Sequence, residues 1–206
     1  MTRISPSVAS ADPLNLRRAV EYAERCGYED LHIDIEDGNF IPNITFGMRT
    51  VRALRGATHL PFSFHLMVLH PESYLEEVMA LGPSIVFAHV EALAYPSNFT
   101  GHMREAGVRS GLALNPKTPV EPLAYILQDL DGILVMTSEP DGRGQLFLPQ
   151  VLEKIRTVRR LAPSVEIWAD GGIRRSQLVE LECLGVRVAV MGRAVFEGSE
   201  LEEGAP

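Results

Sequence analysis

Eight short apolar runs recur along the chain at intervals of roughly 20 to 35 residues, the size of a strand–helix unit. Most of the runs are continuous in Val, Ile and Leu rather than alternating with polar residues, which is typical of strands buried on both faces of a sheet. The chain is therefore predicted to form a parallel β-sheet covered by helices. The runs span residues 4–8, 30–35, 62–67, 85–90, 109–114, 132–136, 166–170 and 186–191.

Amphipathic stretches between these runs predict helices. Pro71 and Pro149 suit the first turn of a helix, and Asp12 stands before Pro13 as a candidate cap. Eight such units in 206 residues favour a (β/α)8 TIM barrel of the α/β class, a single domain over residues 1–206 with a short C-terminal tail from about residue 198. The predicted helices cover residues 13–26, 47–55, 71–81, 120–128, 149–161 and 174–184.

Periodicity alone leaves a doubly wound open sheet as the alternative fold. The polar residues favour the barrel, because they lie at or just past the C-terminal ends of all eight predicted strands, the face on which barrel enzymes hold their active sites. An open sheet would concentrate them at one crevice. These residues are Ser7, Asp34, His65, His89, Asn115, Thr137, Asp170 and Gly192.

The charge and the cysteines limit the classes of partner. A formal charge of −8 argues against nucleic acid or an anionic membrane surface as the main partner. No apolar stretch approaches the roughly 18 residues of a membrane span, and the first residues lack the apolar segment of a signal peptide. Cys26 and Cys183 fall in helical patterns and are predicted to be buried thiols in a reducing compartment. The expected location is the cytoplasm.

Two histidines and two aspartates near strand ends are the candidate metal-binding and catalytic residues. They are His32, Asp34, His65 and Asp170. Residues 32 and 34 point to the same side of their strand, because side chains alternate along it. Taken alone, His32 is explained equally well as a core histidine and Asp34 as a cap for the following loop. Two buried carboxylates, however, need a cation or a proton to compensate them. The four residues together predict a divalent metal site, and the carboxylates suit an enzyme that moves a proton on and off carbon.

Glycines in three consecutive loops indicate an anion site. Backbone N–H groups in the loops after strands seven and eight bind phosphate in many barrels. Any one pair of glycines is more simply a turn, but three loops, two of them with an arginine, favour phosphate binding. The predicted residues are Gly142, Arg143 and Gly144 after strand six, Gly171 and Gly172 after strand seven, and Gly192 and Arg193 after strand eight.

Over nearly its whole length the chain resembles the ribulose-phosphate 3-epimerase family. The resemblance is carried, in the family's order, by residues 5–7, 10–12, 32–34, 37–38, 40–43, 65–67, 114–116, 118–119 and 170–173. It implies a (β/α)8 barrel that interconverts D-ribulose 5-phosphate and D-xylulose 5-phosphate. It also implies that His32, Asp34, His65 and Asp170 bind one divalent metal, and that Asp34 and Asp170 exchange the C3 proton from opposite faces of the sugar. The side chains implied to contact substrate around the reacting centre are Ser7, His65, Met67 and Met136.

The chain departs from the family pattern at several positions. Glu36 stands where the family usually has methionine, and Ser63 replaces an acidic residue two positions before the second histidine. Residues 139–145 differ from the usual phosphate-covering loop, and Arg193 replaces a small residue. These changes match a divergent, SgcE-type branch of epimerase-like proteins.

The expected activity is the metal-dependent inversion of C3 in a ketose phosphate through an enediolate. Ribulose 5-phosphate is the default substrate, allulose 6-phosphate is the alternative, and a barrel that binds sugar phosphate without turnover is the alternative of another class. A Schiff-base aldolase is disfavoured, because neither Lys117 nor Lys154 lies at a predicted strand end. The ligand set suits Zn²⁺, Fe²⁺, Mn²⁺ or Co²⁺ about equally. The protein is expected to be a homo-oligomer.

Overall fold

In the computed structural model, which describes residues 1–141 and 146–197, the apolar runs form one sheet of eight parallel strands. From β2 to β8 each strand pairs with the next one in sequence, and β1 pairs with β8. A single bridge between Ser7 and His32 joins the end of β1 to β2. The described residues therefore form a (β/α)8 TIM barrel, which confirms the predicted fold. The strands are β1 (Arg3–Pro6), β2 (Leu31–Glu36), β3 (Phe62–Met67), β4 (Ile85–His89), β5 (Ser110–Leu114), β6 (Gly132–Met136), β7 (Glu166–Asp170) and β8 (Val188–Met191).

The register of the strands brings distant residues to one end of the barrel. Asp34 on β2 pairs with His65 on β3, and Met136 on β6 pairs with Asp170 on β7. In a parallel sheet all C-terminal ends lie on the same side, so these side chains meet at the C-terminal mouth of the barrel.

Six α-helices and several 3-10 turns connect the described strands, and a seventh α-helix follows β8. Pro71 and Pro149 open the 3-10 turns Pro71–Tyr74 and Pro149–Val151, each of which leads into an α-helix. The helix predicted at residues 120–128 is wrong, since the chain there forms two 3-10 turns, Glu121–Leu123 and Leu127–Asp129. The helices are α1 (Leu16–Arg25), α2 (Met48–Arg55), α3 (Leu75–Met79), α4 (Pro96–Glu105), α5 (Leu152–Leu161), α6 (Leu178–Cys183) and α7 (Arg193–Phe196).

Asp12 does not cap α1. The residue before that helix is Asn15, and Asp12 instead accepts hydrogen bonds from the backbone N–H of Leu14 at 3.0 Å and from Asn15 Nδ2 at 2.5 Å. Asp12 therefore stabilises the turn that leads into the helix, because Asp side chains readily bond to backbone N–H groups two residues on.

Two apolar layers hold the barrel together. The outer layer lies between strands and helices, while a separate cluster that includes Phe87, Leu134, Met136 and Trp168 packs inside the barrel. Phe87 lies so close to Gly111 that a Cβ there would approach its ring to 2.5 Å and the carbonyl oxygen of Gly132 to 2.4 Å. The small residues on β5 and β6 thus make room for the large ring from β4.

Cys26 and Cys183 are both exposed, so the prediction of buried thiols is wrong. Cys26 follows the last turn of α1 and Cys183 ends α6, where the helices reach the solvent. Over the described residues, no helix has the length and apolar character needed to cross a bilayer. The C-terminal tail predicted from residue 198 lies outside the described residues.

Candidate metal centre and active site

Four side chains converge at the C-terminal mouth of the barrel: His32, Asp34, His65 and Asp170. One ligand atom from each lies within 4.8 Å of the others. Nδ1 of His65 lies 3.2 Å from Asp34 Oδ1 and 3.3 Å from Asp170 Oδ2, and Nε2 of His32 lies 3.5 Å from the same Asp34 oxygen. The two histidines are fully buried. The predicted set of four is therefore brought together in one place.

His32 directs an unprotonated ring nitrogen, Nε2, at this cluster. The hydroxyl of Ser63 donates to the carbonyl oxygen of Leu31 at 3.3 Å, so its lone pair faces Nδ1 of His32 at 2.9 Å. Nδ1 must then carry the proton, and Nε2 keeps a lone pair. Among the described residues, Nε2 of His32 has no hydrogen-bond partner although it is buried. A buried lone pair beside two carboxylates fits a divalent cation.

The charges in the cluster shift the pKa values of its members. Burial alone would raise the pKa of Asp34, but His32, together with hydrogen bonds from His65 and Ser7, outweighs burial and holds that pKa below its ordinary value. Burial alone would lower the pKa of His65, yet its hydrogen bonds to Asp170 and Asp34 raise it to about 9. The carboxylates thus attract positive charge at the point where the four residues meet.

A second group of polar side chains lies behind His65. His89, at the end of β4, contacts Nε2 of His65 through its own Nε2 at 2.9 Å, and its Nδ1 lies 3.0 Å from Glu91 Oε2. Glu91 also accepts hydrogen bonds from the backbone N–H of Asn115 and from the hydroxyl of Thr118. Burial opposes ionisation of Glu91, but hydrogen bonds from His89, Thr118 and the backbone N–H of Asn115 outweigh it and lower the pKa of Glu91 to about 2. The sequence analysis did not predict a role for Glu91, although the His-x-Glu pattern at the end of a barrel strand marks it.

A cavity of about 760 Å³ opens above the four residues. Asp34 and Asp170 lie on its wall, and Oγ of Ser7 donates to Asp34 Oδ2 at 2.5 Å. Met136 packs in the inner apolar cluster and is not among the described residues that line the cavity. Of the other residues predicted to contact substrate, those on the wall are Ser7, Met67, Gly172, Gly192 and Arg193.

Gly171 lies behind the wall, with a φ of +114° that favours glycine. A Cβ at this position would lie 2.2 Å from Oγ of Ser138. The loops after β6 and β7 therefore approach each other so closely that only glycine fits at position 171. Gly142, Arg143 and Gly144 lie outside the described residues.

Glu36, Arg174 and Arg175 also line the cavity. Glu36 is half-buried and accepts a hydrogen bond from Asn43 Nδ2 at 2.5 Å. Burial, reinforced by the nearby charge of Asp34, raises the pKa of Glu36 to about 7. The two arginines follow the glycine loop after β7 and were not predicted as site residues. Their place directly after a loop that was predicted to bind phosphate is the sequence signal that could have identified them. The cavity thus has a carboxylate-rich floor and arginines on the side of the last two loops.

Solved structures of low sequence identity share this fold. The chain superposes on the N-acetylmannosamine-6-phosphate 2-epimerase of Clostridium perfringens with a TM-score of 0.67 at 13% identity, covering 98% of this chain and 90% of that one. A mutant tryptophan synthase α-subunit of Pyrococcus furiosus gives a TM-score of 0.70 at 15% identity, covering 98% and 91%. These similarities support the barrel and nothing finer.

Sequence relatives are much closer. The chain is 36% identical to the ribulose-phosphate 3-epimerase of Bacillus subtilis over 205 residues, which cover 97% of this chain and 94% of the relative. It is 37% identical to the enzyme of the same name from Treponema pallidum, over 95% of this chain and 92% of the relative. The model of the ribulose-phosphate 3 epimerase family matches residues 3–196. The chain therefore belongs to the ribulose-phosphate 3-epimerase family, whose named members are isomerases that act on carbohydrates.

Proposed function

We propose that the protein is a metal-dependent 3-epimerase of a ketose phosphate, with D-ribulose 5-phosphate and D-xylulose 5-phosphate as its substrate pair. The observation that carries the proposal is the convergence of two buried histidines with two aspartates that line the cavity. Membership of the family supplies the reaction class, and the arrangement of these four side chains supplies the groups that the reaction needs.

Asp34 and Asp170 are proposed to move the proton. The C3 hydrogen of the sugar lies next to a ketone, so its removal leaves a delocalised enediolate. One aspartate takes this proton as a carboxylate, and the other, protonated at the start, returns a proton to the opposite face of C3. The direction of the reaction decides which aspartate begins as the base. Ser7 orients one of them, because its hydroxyl donates to Asp34 Oδ2.

The metal is proposed to be held by His32, Asp34, His65 and Asp170. The bare Nε2 of His32 and the two carboxylates beside His65 fit such a cation. A divalent cation in this position would supply Lewis-acid stabilisation of the negative charge that develops on the substrate oxygens. Zn²⁺, Fe²⁺, Mn²⁺ and Co²⁺ all remain compatible with two imidazoles and two carboxylates.

The phosphate is proposed to lie on the side of the last two loops. Gly172, Gly192 and Arg193 line the cavity there, together with Arg174 and Arg175. Backbone N–H groups and guanidinium groups both suit a phosphate, which carries oxygen acceptors and negative charge. The carboxylates lie on the cavity floor, so an anionic substrate would place its sugar, and not its phosphate, against them.

The proposal is tested by solvent deuterium incorporation into ribulose 5-phosphate and allulose 6-phosphate, followed by NMR with and without a chelator. Label at C3 that disappears with the chelator is the expected result. The sugar that is labelled faster identifies whether the preferred substrate is the pentulose or the hexulose phosphate. Label in allulose 6-phosphate alone would replace the pentulose by the hexulose. If metal-loaded protein labels neither sugar, the proposed epimerisation of both sugars is contradicted and a binding protein becomes the better explanation. A homo-oligomeric state and a cytoplasmic location stay predictions.

A further inference from the structure

A chain of hydrogen-bonded side chains leads away from His65 on the side opposite to the two carboxylates. It runs from Nε2 of His65 to Nε2 of His89 at 2.9 Å, and from Nδ1 of His89 to Oε2 of Glu91 at 3.0 Å. The other oxygen of Glu91 accepts from the backbone N–H of Asn115 at 2.9 Å and from the hydroxyl of Thr118. Every polar atom along this path therefore has a partner.

The position of each proton follows from the groups that can only donate or only accept. An ionised carboxylate only accepts, and Asn115 and Thr118 already occupy Oε1 of Glu91. Oε2 is left for His89, so Nδ1 of His89 carries a proton. The two facing Nε2 atoms of His65 and His89, 2.9 Å apart, share one hydrogen bond, so one of them carries the proton and the other accepts it. Nδ1 of His65 faces the two carboxylates, so a cation bound there would displace its proton and the ring would keep its remaining proton on Nε2, which donates to His89.

We propose that Glu91 is a positioning residue for the metal centre, acting through His89 to hold His65 with Nε2 protonated and Nδ1 directed at the cation. This inference rests on the metal site of the proposed function. A metal-bound histidine generally donates its other N–H to a fixed acceptor, which sets the tautomer and the ring orientation. Here that acceptor is itself a histidine, and its own tautomer is set by a carboxylate one step further from the metal.

Packing holds the two rings in this relation. The planes of His65 and His89 differ by 25°, with centroids 5.0 Å apart, and the ring of Phe40 packs against His89 with centroids 4.7 Å apart. Neither ring can rotate without disturbing a buried contact. The ring orientations are therefore fixed, and the two rings can differ only in which nitrogen carries the proton.

Replacement of Glu91 by glutamine would exchange donor and acceptor in each hydrogen bond between residue 91 and His65. The amide oxygen would stay with the two donors Asn115 and Thr118, so the NH₂ group would face His89. His89 would then carry its proton on Nε2, so His65 could no longer donate from Nε2 and would keep its only proton on Nδ1. A protonated Nδ1 can still donate to Asp34 or Asp170, so the fold is retained while the ligand is blocked.

The experiment measures Zn²⁺ affinity of the full chain by competition with a chromophoric chelator at fixed pH. Glu91→Gln is expected to weaken binding about 10- to 100-fold, the usual effect of removing an outer partner of a ligating histidine. Glu72→Gln is the matched control, since Glu72 lies 3.6 Å from His70 in an exposed pair with the same spacing. It is expected to bind Zn²⁺ as the wild type does. A folded Glu91→Gln protein with wild-type affinity would overturn the inference.

A second measurement needs no variant. Long-range ¹H–¹⁵N spectra of the wild-type protein report which nitrogen of each histidine is protonated, and His89 is expected to carry its proton on Nδ1. A His89 protonated only on Nε2 would overturn the inference even if the Glu91 variant failed to fold. Failure of the wild-type protein to bind any of the four candidate metals would remove the proposed metal site and this inference together, whereas tight wild-type binding with an unaffected variant would remove the inference alone.

Discussion

Asp34 and Asp170 approach the same nitrogen of His65, at 3.2 and 3.3 Å, and both line the cavity. Asparagine keeps the size of either side chain but cannot exchange a proton. We expect Asp34→Asn or Asp170→Asn to lower C3 deuterium exchange at least about 10²- to 10⁴-fold, the usual contribution of a general acid or base. Asp129→Asn is the control, because Asp129 is exposed just before β6, at the other end of the barrel. Exchange near the wild-type rate in either site variant would contradict the two-base mechanism.

Ser63 provides a prediction on the other histidine. Its hydroxyl fixes the proton of His32 on Nδ1, and alanine would leave that buried N–H without an acceptor. We expect Ser63→Ala to weaken metal affinity about 10- to 100-fold, measured by chelator competition. Ser84→Ala is a matched control, since Ser84 also donates to a backbone carbonyl, that of Phe62 at 3.0 Å, and forms no hydrogen bond with a histidine among the described residues. Equal metal affinities of the two serine variants would exclude this role for Ser63.

Strands β4, β5 and β6 share a close contact that depends on the absence of a side chain. A methyl group at Gly111 would meet both the ring of Phe87 and the backbone of Gly132, so Gly111→Ala is expected to destabilise the fold by about 1–3 kcal/mol in urea unfolding. Gly101→Ala in α4 should do the reverse, because a Cβ there meets no atom within 4 Å and alanine favours a helix by about 0.5–1 kcal/mol. A neutral Gly111→Ala would show that the inner layer rearranges at little cost.

The strands were easier to predict than the helices, for a physical reason. The bounds of β3, β6 and β7 are those expected, because these strands are almost entirely buried and most of their side chains are apolar. Residues 120–128 bury four apolar side chains at helical spacing, yet two 3-10 turns satisfy the same burial. Helix α4 was not predicted, because its Asn98, Thr100 and Gly101 disfavour a helix and packing of Phe99 and Met103 overrides them.

The four residues of the candidate metal centre were predictable, since each lies at a strand end and carries a ligand group. The residues that determine which nitrogen of each histidine is protonated, Ser63 and Glu91, were not predictable. The role of Ser63 is recognisable only once the β2–β3 register places it opposite His32. The His-x-Glu pattern draws attention to Glu91, but its role follows only from the contact of His89 with His65. Such roles depend on contacts between strands, which a single sequence does not specify.

Metal binding links three strands of the whole barrel, because its proposed ligands come from β2, β3 and β7. A metal at 100 times its Kd stabilises the folded state by about 2.7 kcal/mol. For a chain of this size that corresponds to a rise of about 5 to 10 °C in Tm. We expect a chelator to lower the Tm of the wild-type protein by this amount and to leave that of Asp34→Asn nearly unchanged. Equal sensitivity of both proteins to the chelator would place the metal elsewhere.

The pairing of β1 with β8 has a consequence for the synthesis of the protein. The ladder of β1 is formed with Val188–Met191, whereas β1 meets β2 through the single bridge of Ser7 and His32. Strand β1 thus waits for β8, which leaves the ribosome roughly 180 residues and about 10 to 40 s after it at ordinary translation rates. Until then the nascent sheet has two open edges, and a chain that stalls before β8 cannot close. Ring closure therefore cannot begin before β8 itself has left the ribosome.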